Sequence, residues 1–301
     1  MENKYIQSPL NYTGGKYRLL PQIIPLFPKN IYHFIDLFCG GGNVGVNVES
    51  VKTTFNDIDS RVVSLLNTLR TLGEDSITRV EELISRYELS KSSEKGYEFY
   101  GCIGDKGLAS YNKDKFFKLR EDYNSLAESG IQKDIMLFTL IIYAFNNQIR
   151  FNGRGEYNIS VGKRDFNDKM KLKVRNFVNA LKNKKVEFSD VDFFDYEEDI
   201  SSEDFFYLDP PYSLTCATYN ERGGWDENTD LHLFRFIDLI NERGARFALS
   251  NVFSTKGRKN ERLMEWSKKY RVIRLDHSYN NASYHKKDRE SSDEEVLIVN
   301  Y

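Results

Sequence analysis

The sequence has little that would staple it together covalently. Its 301 residues include only three cysteines, Cys39, Cys102 and Cys216. They are odd in number and widely spaced, which excludes a disulfide framework and the paired spacing of a zinc site. Such thiols fill small core or loop positions in a reducing compartment. Long apolar runs are also missing. The longest, Ile135 to Phe145, is about two-thirds of the ~18 residues that a membrane span needs, and no apolar leader stands at the N-terminus. A soluble, cytoplasmic chain with no membrane partner is expected. Charge of one sign is not in excess either. The net charge is −2, so bulk electrostatics select neither nucleic acid nor an anionic surface. Proline is scarce: after Pro9, Pro21, Pro25 and Pro28, about 180 residues pass before Pro210 and Pro211 arrive together.

What is present supports a large folded core. Hydrophobic residues make up 40% of the chain and aromatics 14%, which argues against disorder. Charge is distributed unevenly. Between Gln148 and Arg175 eight basic residues face three acidic ones, and between Glu187 and Asp209 there are ten acidic residues and no basic one. A local basic stripe on a neutral protein can follow a phosphate backbone, although a solvated helix face accounts equally well for Lys169 to Arg175.

The apolar periodicity predicts a buried strand over Ile31 to Phe38, a turn, a helix from Val44, and a second strand over Thr53 to Phe55. A further helix follows, with Val62, Leu65, Leu66 and Leu69 on one face. That order is a βαβ unit and implies a parallel sheet. Helical patterns then dominate at Ile77 to Tyr87, Lys115 to Leu126 and Lys133 to Phe145. A hairpin is predicted over Arg150 to Ile159, around Asn152-Gly153-Arg154-Gly155. Strands resume near Val186 to Phe188, Phe205 to Leu208, Arg246 to Leu249, Val272 to Leu275 and Glu295 to Val299, with helices over Leu231 to Arg243 and Asn260 to Lys269. The expected division is a core of residues 1–70 and 169–301 interrupted by a helical insertion, 71–168, that carries the hairpin.

Three motifs carry chemistry. The first is Phe205-Phe206-Tyr207-Leu208-Asp209-Pro210-Pro211-Tyr212. An apolar strand ends in a carboxylate, two rigid residues without N–H donors, and an aromatic ring. An exocyclic aromatic amine is a poor nucleophile because its lone pair is delocalised into the ring. The Asp209 carboxylate and the Pro210 carbonyl, each accepting one amine hydrogen, would draw that nitrogen toward a pyramidal form, while Tyr212 stacks on the base. These are preorganised acceptors where positive charge develops, the reverse of an oxyanion hole. By chance, an acid, Ser or Asn followed by Pro-Pro-aromatic occurs in ~1% of chains this long, given Pro at about 5%. Its place at the carboxyl end of a strand, where open α/β sheets bind ligands, favours the site over a plain surface turn.

The second motif is the glycine loop Phe38-Cys39-Gly40-Gly41-Gly42-Asn43-Val44-Gly45, which follows Asp36. It is neither the dinucleotide fingerprint nor a P-loop, and alone it indicates only a cofactor loop. Asp57, 17 residues after Gly40, stands where an acid can hold ribose hydroxyls. A nicotinamide cofactor is the rival, against which the Asp-Pro-Pro-Tyr motif argues. The third is Asn11-Tyr12-Thr13-Gly14-Gly15-Lys16. It suits a turn that covers a cofactor and meets its carboxylate, and serves equally as a loop leading into a helix.

Taken in order, these motifs resemble the Dam-type (D12 class, alpha group) DNA adenine-N6 methyltransferases of bacteria and phages. Phe151 to Asn158, Tyr219-Asn220, Leu249 to Val252 and Asp293 to Val296 extend the likeness through most of the chain. The resemblance implies an α/β fold: a class I S-adenosylmethionine-dependent methyltransferase (Rossmann-like) core with an inserted helical target-recognition domain. It assigns S-adenosylmethionine to Tyr12, Lys16, Asp36, Phe38, Gly40, Gly41, Gly42, Asp57, Asp192, Phe193 and Asp209. It assigns catalysis to Asp209, Pro210, Pro211 and Tyr212, and no metal. For double-stranded DNA it implies Phe145 as a wedge into the base stack and Arg150 as a reader of guanine. Asn152, Lys163, Arg164 and Tyr219 complete the DNA set. A core aromatic and a phosphate contact are the plain alternatives for Phe145 and Arg150.

The implied activity is methylation of adenine N6 in a duplex after base flipping, at GATC or a related short site, with a cognate restriction endonuclease as a possible partner. Many relatives have lysine where Asn11 stands and proline where Ser160 stands, which bears on the site read. Cytosine-N4 transfer uses the same amine-gripping logic, and Asp209 in place of serine leans toward adenine. Methylation of RNA or of a protein amide is favoured more by Asn-Pro-Pro-Tyr. A non-catalytic DNA-binding module would keep the hairpin but need neither Asp209 nor the glycine loop.

Overall fold

A computed structural model of the chain describes residues 4–12, 14–102, 107–216, 225–276 and 294–301. Its centre is a sheet built from β1 (Ile31–Asp36), β2 (Ser50–Asn56), β3 (Val186–Ser189), β4 (Asp204–Leu208), β5 (Arg246–Thr255), β6 (Arg258–Lys259), β7 (Arg271–Arg274) and β8 (Glu294–Val299). The order is β3-β2-β1-β4-β5-β8-β7, with the short β6 paired to β5. β3, β2, β1, β4 and β5 are parallel to one another, β8 runs antiparallel between β5 and β7, and β6 is antiparallel to β5.

The central strands read as almost unbroken apolar runs because both faces are covered. On one face Ile35, Leu37, Phe206, Leu208, Phe247 and Leu249 pack with Leu233, Phe236, Ile237 and Ile240. Those last four come from the helix Glu227–Glu242. On the other face Phe34, Phe205, Tyr207 and Ala248 pack with Leu19, Leu20, Ile23 and Phe27 of the N-terminal segment. Alternation of side chains along each strand sorts these sets.

The helical part packs around one further core. α1 (Ser60–Leu72), α2 (Asp75–Arg86), α3 (Ala109–Ser125), α4 (Ile131–Tyr143) and α5 (Asp168–Lys182) share it with Phe55 of β2. From Asp134 to Tyr143 α4 is buried on every side, which matches the almost wholly apolar sequence of that stretch. Inside that core the Asp134 carboxylate accepts hydrogen bonds from Ser64 and Thr68 of α1, at 2.8 and 2.7 Å.

Three local expectations are revised. The helix expected from Val44 is a single 3-10 turn, Gly45–Asn47, because the chain must return to pair Ser50 with Ile31. The Arg150–Ile159 hairpin is closed by an isolated bridge, Phe151 to Tyr157, rather than a ladder. Side chains take over its backbone groups: Asn152 Oδ1 accepts the N–H of Arg154 and Glu156, and Asn124 Oδ1 accepts that of Tyr157. Such local side-chain bonds compete with strand pairing. The helix expected over Asn260–Lys269 splits into Glu261–Trp266 and a 3-10 turn, Ser267–Lys269.

Gly45 shows how tightly the turn after β1 is packed. A Cβ there would lie 2.5 Å from Phe55 Cε1 and 3.1 Å from Asp36 Oδ2. Gly45→Ala is therefore expected to destabilise the fold by about 1–3 kcal/mol through overpacking. Denaturant unfolding of both proteins checks this.

Candidate active site

Strand register decides which motifs meet. β1 and β4 are neighbours with Asp36 opposite Tyr207, and the Leu37 N–H donates to the Tyr207 carbonyl at 3.0 Å. Asp209 therefore emerges beside the start of the glycine loop. Asp57 follows β2, on the other side of β1. The carboxyl edge at β1 and β4 is where the strand order reverses, the place where open α/β sheets form a ligand crevice.

The Asp209 carboxylate is held from two directions. Lys16 Nζ lies 2.8 Å from Oδ1, and the Tyr212 hydroxyl donates to the same oxygen at 3.0 Å. Lys16 also donates to the Gly14 carbonyl at 2.8 Å and lies 5.1 Å from the Tyr212 ring centroid. Its side chain is 4% exposed and that of Asp209 17%. Sequence reasoning placed Lys16 at the edge of a cofactor. In the structure it pairs with Asp209, a contact that needs the N-terminal turn folded over the sheet and leaves no trace in sequence spacing.

Two more carboxylates end neighbouring strands. Asp36 is buried and accepts the Gly45 N–H at 2.9 Å. Burial, against that single backbone bond and with Asp209 and Asp57 nearby, pushes its pKa up to about 7. Asp57 accepts the N–H of Gly40 at 2.9 Å and of Asp59 at 3.0 Å, one on each oxygen, and burial raises its pKa too. Each carboxylate oxygen retains a further lone pair for a ligand donor.

The glycines admit close approach by the N-terminal segment. A Cβ at Gly40 would lie 2.9 Å from the Tyr12 ring, and one at Gly41 would lie 2.8 Å from the Leu10 carbonyl. Gly42 has φ +74°, a conformation side chains disfavour. Phe38, Phe193 and Trp225 form an aromatic wall with centroids 5.8 to 6.0 Å apart. Asp192 caps the turn that carries Phe193, accepting the Phe194 N–H. Trp225 was not foreseen, because it lies in no periodic segment.

A cavity of about 810 Å³ opens beside Lys16 and Tyr212 and reaches Phe145, Lys163, Arg164 and Lys173. Phe145 is 47% exposed, so it is not a core aromatic. It leads a turn in which Asn146 and Asn147 both have φ near +53°, and Asn11 Nδ2 donates to the Asn146 carbonyl at 2.7 Å. Arg150 is exposed, and its Nε donates to Asn158 Oδ1 at 3.0 Å. Asn152 shapes the hairpin turn through its side chain. Lys163 and Arg164 are exposed. Tyr219 lies outside the described residues, as do Asn220 and Asp293 of the sequence likeness.

A parallel sheet with one antiparallel strand let in beside its far edge, and an acid closing each of its first two strands at the crevice, is the class I methyltransferase fold. The chain belongs to the D12 class N6 adenine-specific DNA methyltransferases, whose family model matches residues 12–281. It is 42% identical to the type II methyltransferase M.FokI of Planomicrobium okeanokoites and 39% identical to the modification methylase StsI of Streptococcus sanguinis. Each match covers 99% of this chain but 43% of the relative, so the chain spans less than half their length. A DNA adenine methylase of Salmonella typhi is 25% identical over 70% of this chain and 66% of its own. No helix among the described residues is long and apolar enough to cross a membrane.

The Lys16–Asp209 contact predicts an energetic coupling. Residues in direct contact couple by about 0.5–3 kcal/mol, and the partial exposure of Asp209 places this pair toward the lower end. A double-mutant cycle of Lys16→Met and Asp209→Asn, read by denaturant unfolding, is expected to show coupling in that range. Additive single effects would mean that the contact contributes nothing to stability.

Proposed function

We propose that the chain transfers a methyl group from S-adenosylmethionine to N6 of an adenine flipped out of duplex DNA. The observation that carries this reading is the Asp209 carboxylate at the end of β4, set by register against the glycine loop of β1. The residues present fit the cofactor. Asp36 offers a buried carboxylate whose desolvation is only partly offset, which suits an ammonium. Asp57 has acceptor capacity for ribose hydroxyls, and Phe38 and Phe193, with Asp192 beside them, suit an adenine ring. Tyr12 packs over Gly40 and Leu10 over Gly41, beside Gly42 of the same loop. When bound, the cofactor supplies an electrophilic sulfonium methyl.

The protein's own groups act on the base. Asp209 and the Pro210 carbonyl accept the two N6 hydrogens and localise the nitrogen lone pair, and Pro211 keeps the backbone rigid behind them. Asp209 then holds the proton that N6 loses. Tyr212 stacks on the base, a contact of about 1–3 kcal/mol that offsets part of the few kcal/mol that flipping costs. Lys16 and the Tyr212 hydroxyl both lie on Asp209 Oδ1, and Oδ2 of the same carboxylate offers acceptor sites for the amine.

The DNA lies along the cleft, with Phe145 entering the stack and Lys163 and Arg164 on phosphates, which position without reading sequence. Arg150 reads a base edge in the major groove. Asn152 supports that reading by fixing the turn, and the resemblance adds Tyr219 to the DNA-binding set. Residues 71–168 form the target-recognition insertion and 1–70 with 169–301 the catalytic core. A short site, GATC or a relative of it, a cytoplasmic setting and pairing with a restriction endonuclease complete the reading.

Incubating the protein with cofactor and duplex DNA, digesting to nucleosides and separating them by mass spectrometry tests the reaction. N6-methyladenine is expected; N4-methylcytosine alone would overturn the reading. Asp209→Ala should lower the rate by about 10²–10³-fold or more, as loss of a preorganised electrostatic group does.

Asp36 gives a pH dependence. With its pKa at about 7, the folded ligand-free protein holds a proton that the unfolded chain releases above about pH 4. Stability of the ligand-free protein therefore falls as pH rises from about 4 to 7. A cationic ligand favours the ionised carboxylate, so cofactor affinity should rise several-fold between pH 6 and pH 7.5, with proton release. Calorimetry in two buffers of different ionisation enthalpy reads both. Asp36→Asn should flatten the profile; a flat profile in the parent would remove Asp36 from the cofactor site.

A further inference from the structure

Arg61 is on neither the cofactor nor the DNA set, yet its contacts run from one to the other. On one side its guanidinium forms a fork on Asp59, with Nε to Oδ1 and Nη2 to Oδ2 both at 2.7 Å. The Asp59 N–H donates to Asp57 Oδ1, and the other Asp57 oxygen takes the Gly40 N–H. On the other side the guanidinium carbon lies 3.5 Å from the centroid of the Phe151 ring, and Nη1 donates to the Gly155 carbonyl at 3.4 Å. A short chain of direct contacts thus joins the glycine loop to the hairpin.

The backbone pairing of the hairpin is one isolated bridge, Phe151 to Tyr157, so its orientation is left largely to side chains. Asn124 bonds both backbone groups of Tyr157 and Arg120 donates to the Ile159 carbonyl, while Arg61 is the contact that reaches the Asp57 side. Neighbouring side chains on an extended ribbon point to opposite faces. Phe151, 6% exposed, faces inward onto Arg61, and that turns the adjacent Arg150 outward. The fork on Asp59 and the stack on Phe151 constrain one rigid guanidinium plane from its edge and from its face. A lysine could keep the charge pairing but would lose the plane.

We propose that Arg61 is a positioning residue that seats the hairpin on the ribose-side carboxylates, so that base discrimination depends on occupancy of the cofactor site. The proposal rests on the reading that Asp57 holds the cofactor and Arg150 reads a base. A ligand drawing on Asp57 shifts the Asp59 backbone that hangs from it, and with it the guanidinium plane under Phe151. The coupling is reciprocal: cognate DNA tightens the cofactor by the factor by which the cofactor tightens cognate DNA.

The test measures binding of the cognate duplex, a duplex with one base pair of the site changed, and a random duplex. Each is titrated with and without S-adenosylhomocysteine, using the parent, Arg61→Lys and Arg61→Ala. The cognate site comes from sequencing modified bases in cells that express the parent; finding none would overturn the functional reading and this proposal with it. In the parent, discrimination should rise at least about fivefold with ligand, the lower end of ordinary coupling. In Arg61→Ala the discrimination ratio should be the same with and without ligand. Its affinities for S-adenosylhomocysteine alone and for random duplex should stay within about twofold of the parent, too small a change to count as a coupling loss. Arg61→Lys should keep the parent's unfolding midpoint more nearly than Arg61→Ala, yet recover little of the coupling. Retained ligand-dependent discrimination in Arg61→Ala would overturn the proposal. So would a parent without such dependence, or a parallel loss of all binding with a lowered unfolding midpoint, which would make Arg61 merely structural.

Discussion

The parallel pairing of β1 with β4 is the constraint on which the rest depends. These strands are about 170 residues apart in sequence, and the bond from the Leu37 N–H to the Tyr207 carbonyl fixes their ends together. At the opposite edge of the sheet, His33 of β1 bridges Asp204 of β4 at 2.7 Å and Thr54 of β2 at 2.9 Å. The register is thus pinned at both ends. A slip by one residue would turn every side chain to the other face and part Asp209 from the glycine loop.

The same pinning concentrates negative charge. Asp36, Asp57 and Asp209 all come to one edge, and burial raises the pKa of the first two. Lys16 is the buried cation that answers this cluster, held to Asp209 by a turn with little regular structure of its own. In the proposed reading, acceptors arranged in this way are preorganised for ammonium, hydroxyl and amine hydrogens. The N-terminal segment packs so closely over the loop that Gly40 and Gly41 have no room for a Cβ.

Much of this was legible in the sequence, for physical reasons that can be named. Strands buried on two faces announce themselves as apolar runs, and β1, β4 and β8 are found where those runs lie. The Asp-Pro-Pro-Tyr segment is legible because paired prolines are rare and chemically specific. What stayed hidden was whatever depends on tertiary approach. Periodicity overstated a helix after Val44, since it does not register that the chain must turn back within a few residues to form β2. The hairpin was visible from Asn152-Gly153, but not that Asn152 and Asn124 side chains would displace its ladder. Lys16 on Asp209 and Arg61 on Phe151 join residues with no shared local signal. Phe145 was readable as wedge or core, and its exposure removes the core alternative.

The measurement that tests the central claim most directly is a crystal structure of the protein with S-adenosylhomocysteine and a duplex that contains its target site. The account predicts an adenine outside the stack, with N6 at hydrogen-bond distance, about 2.7–3.2 Å, from the Asp209 carboxylate. An extrahelical base lodged away from Asp209 would contradict it.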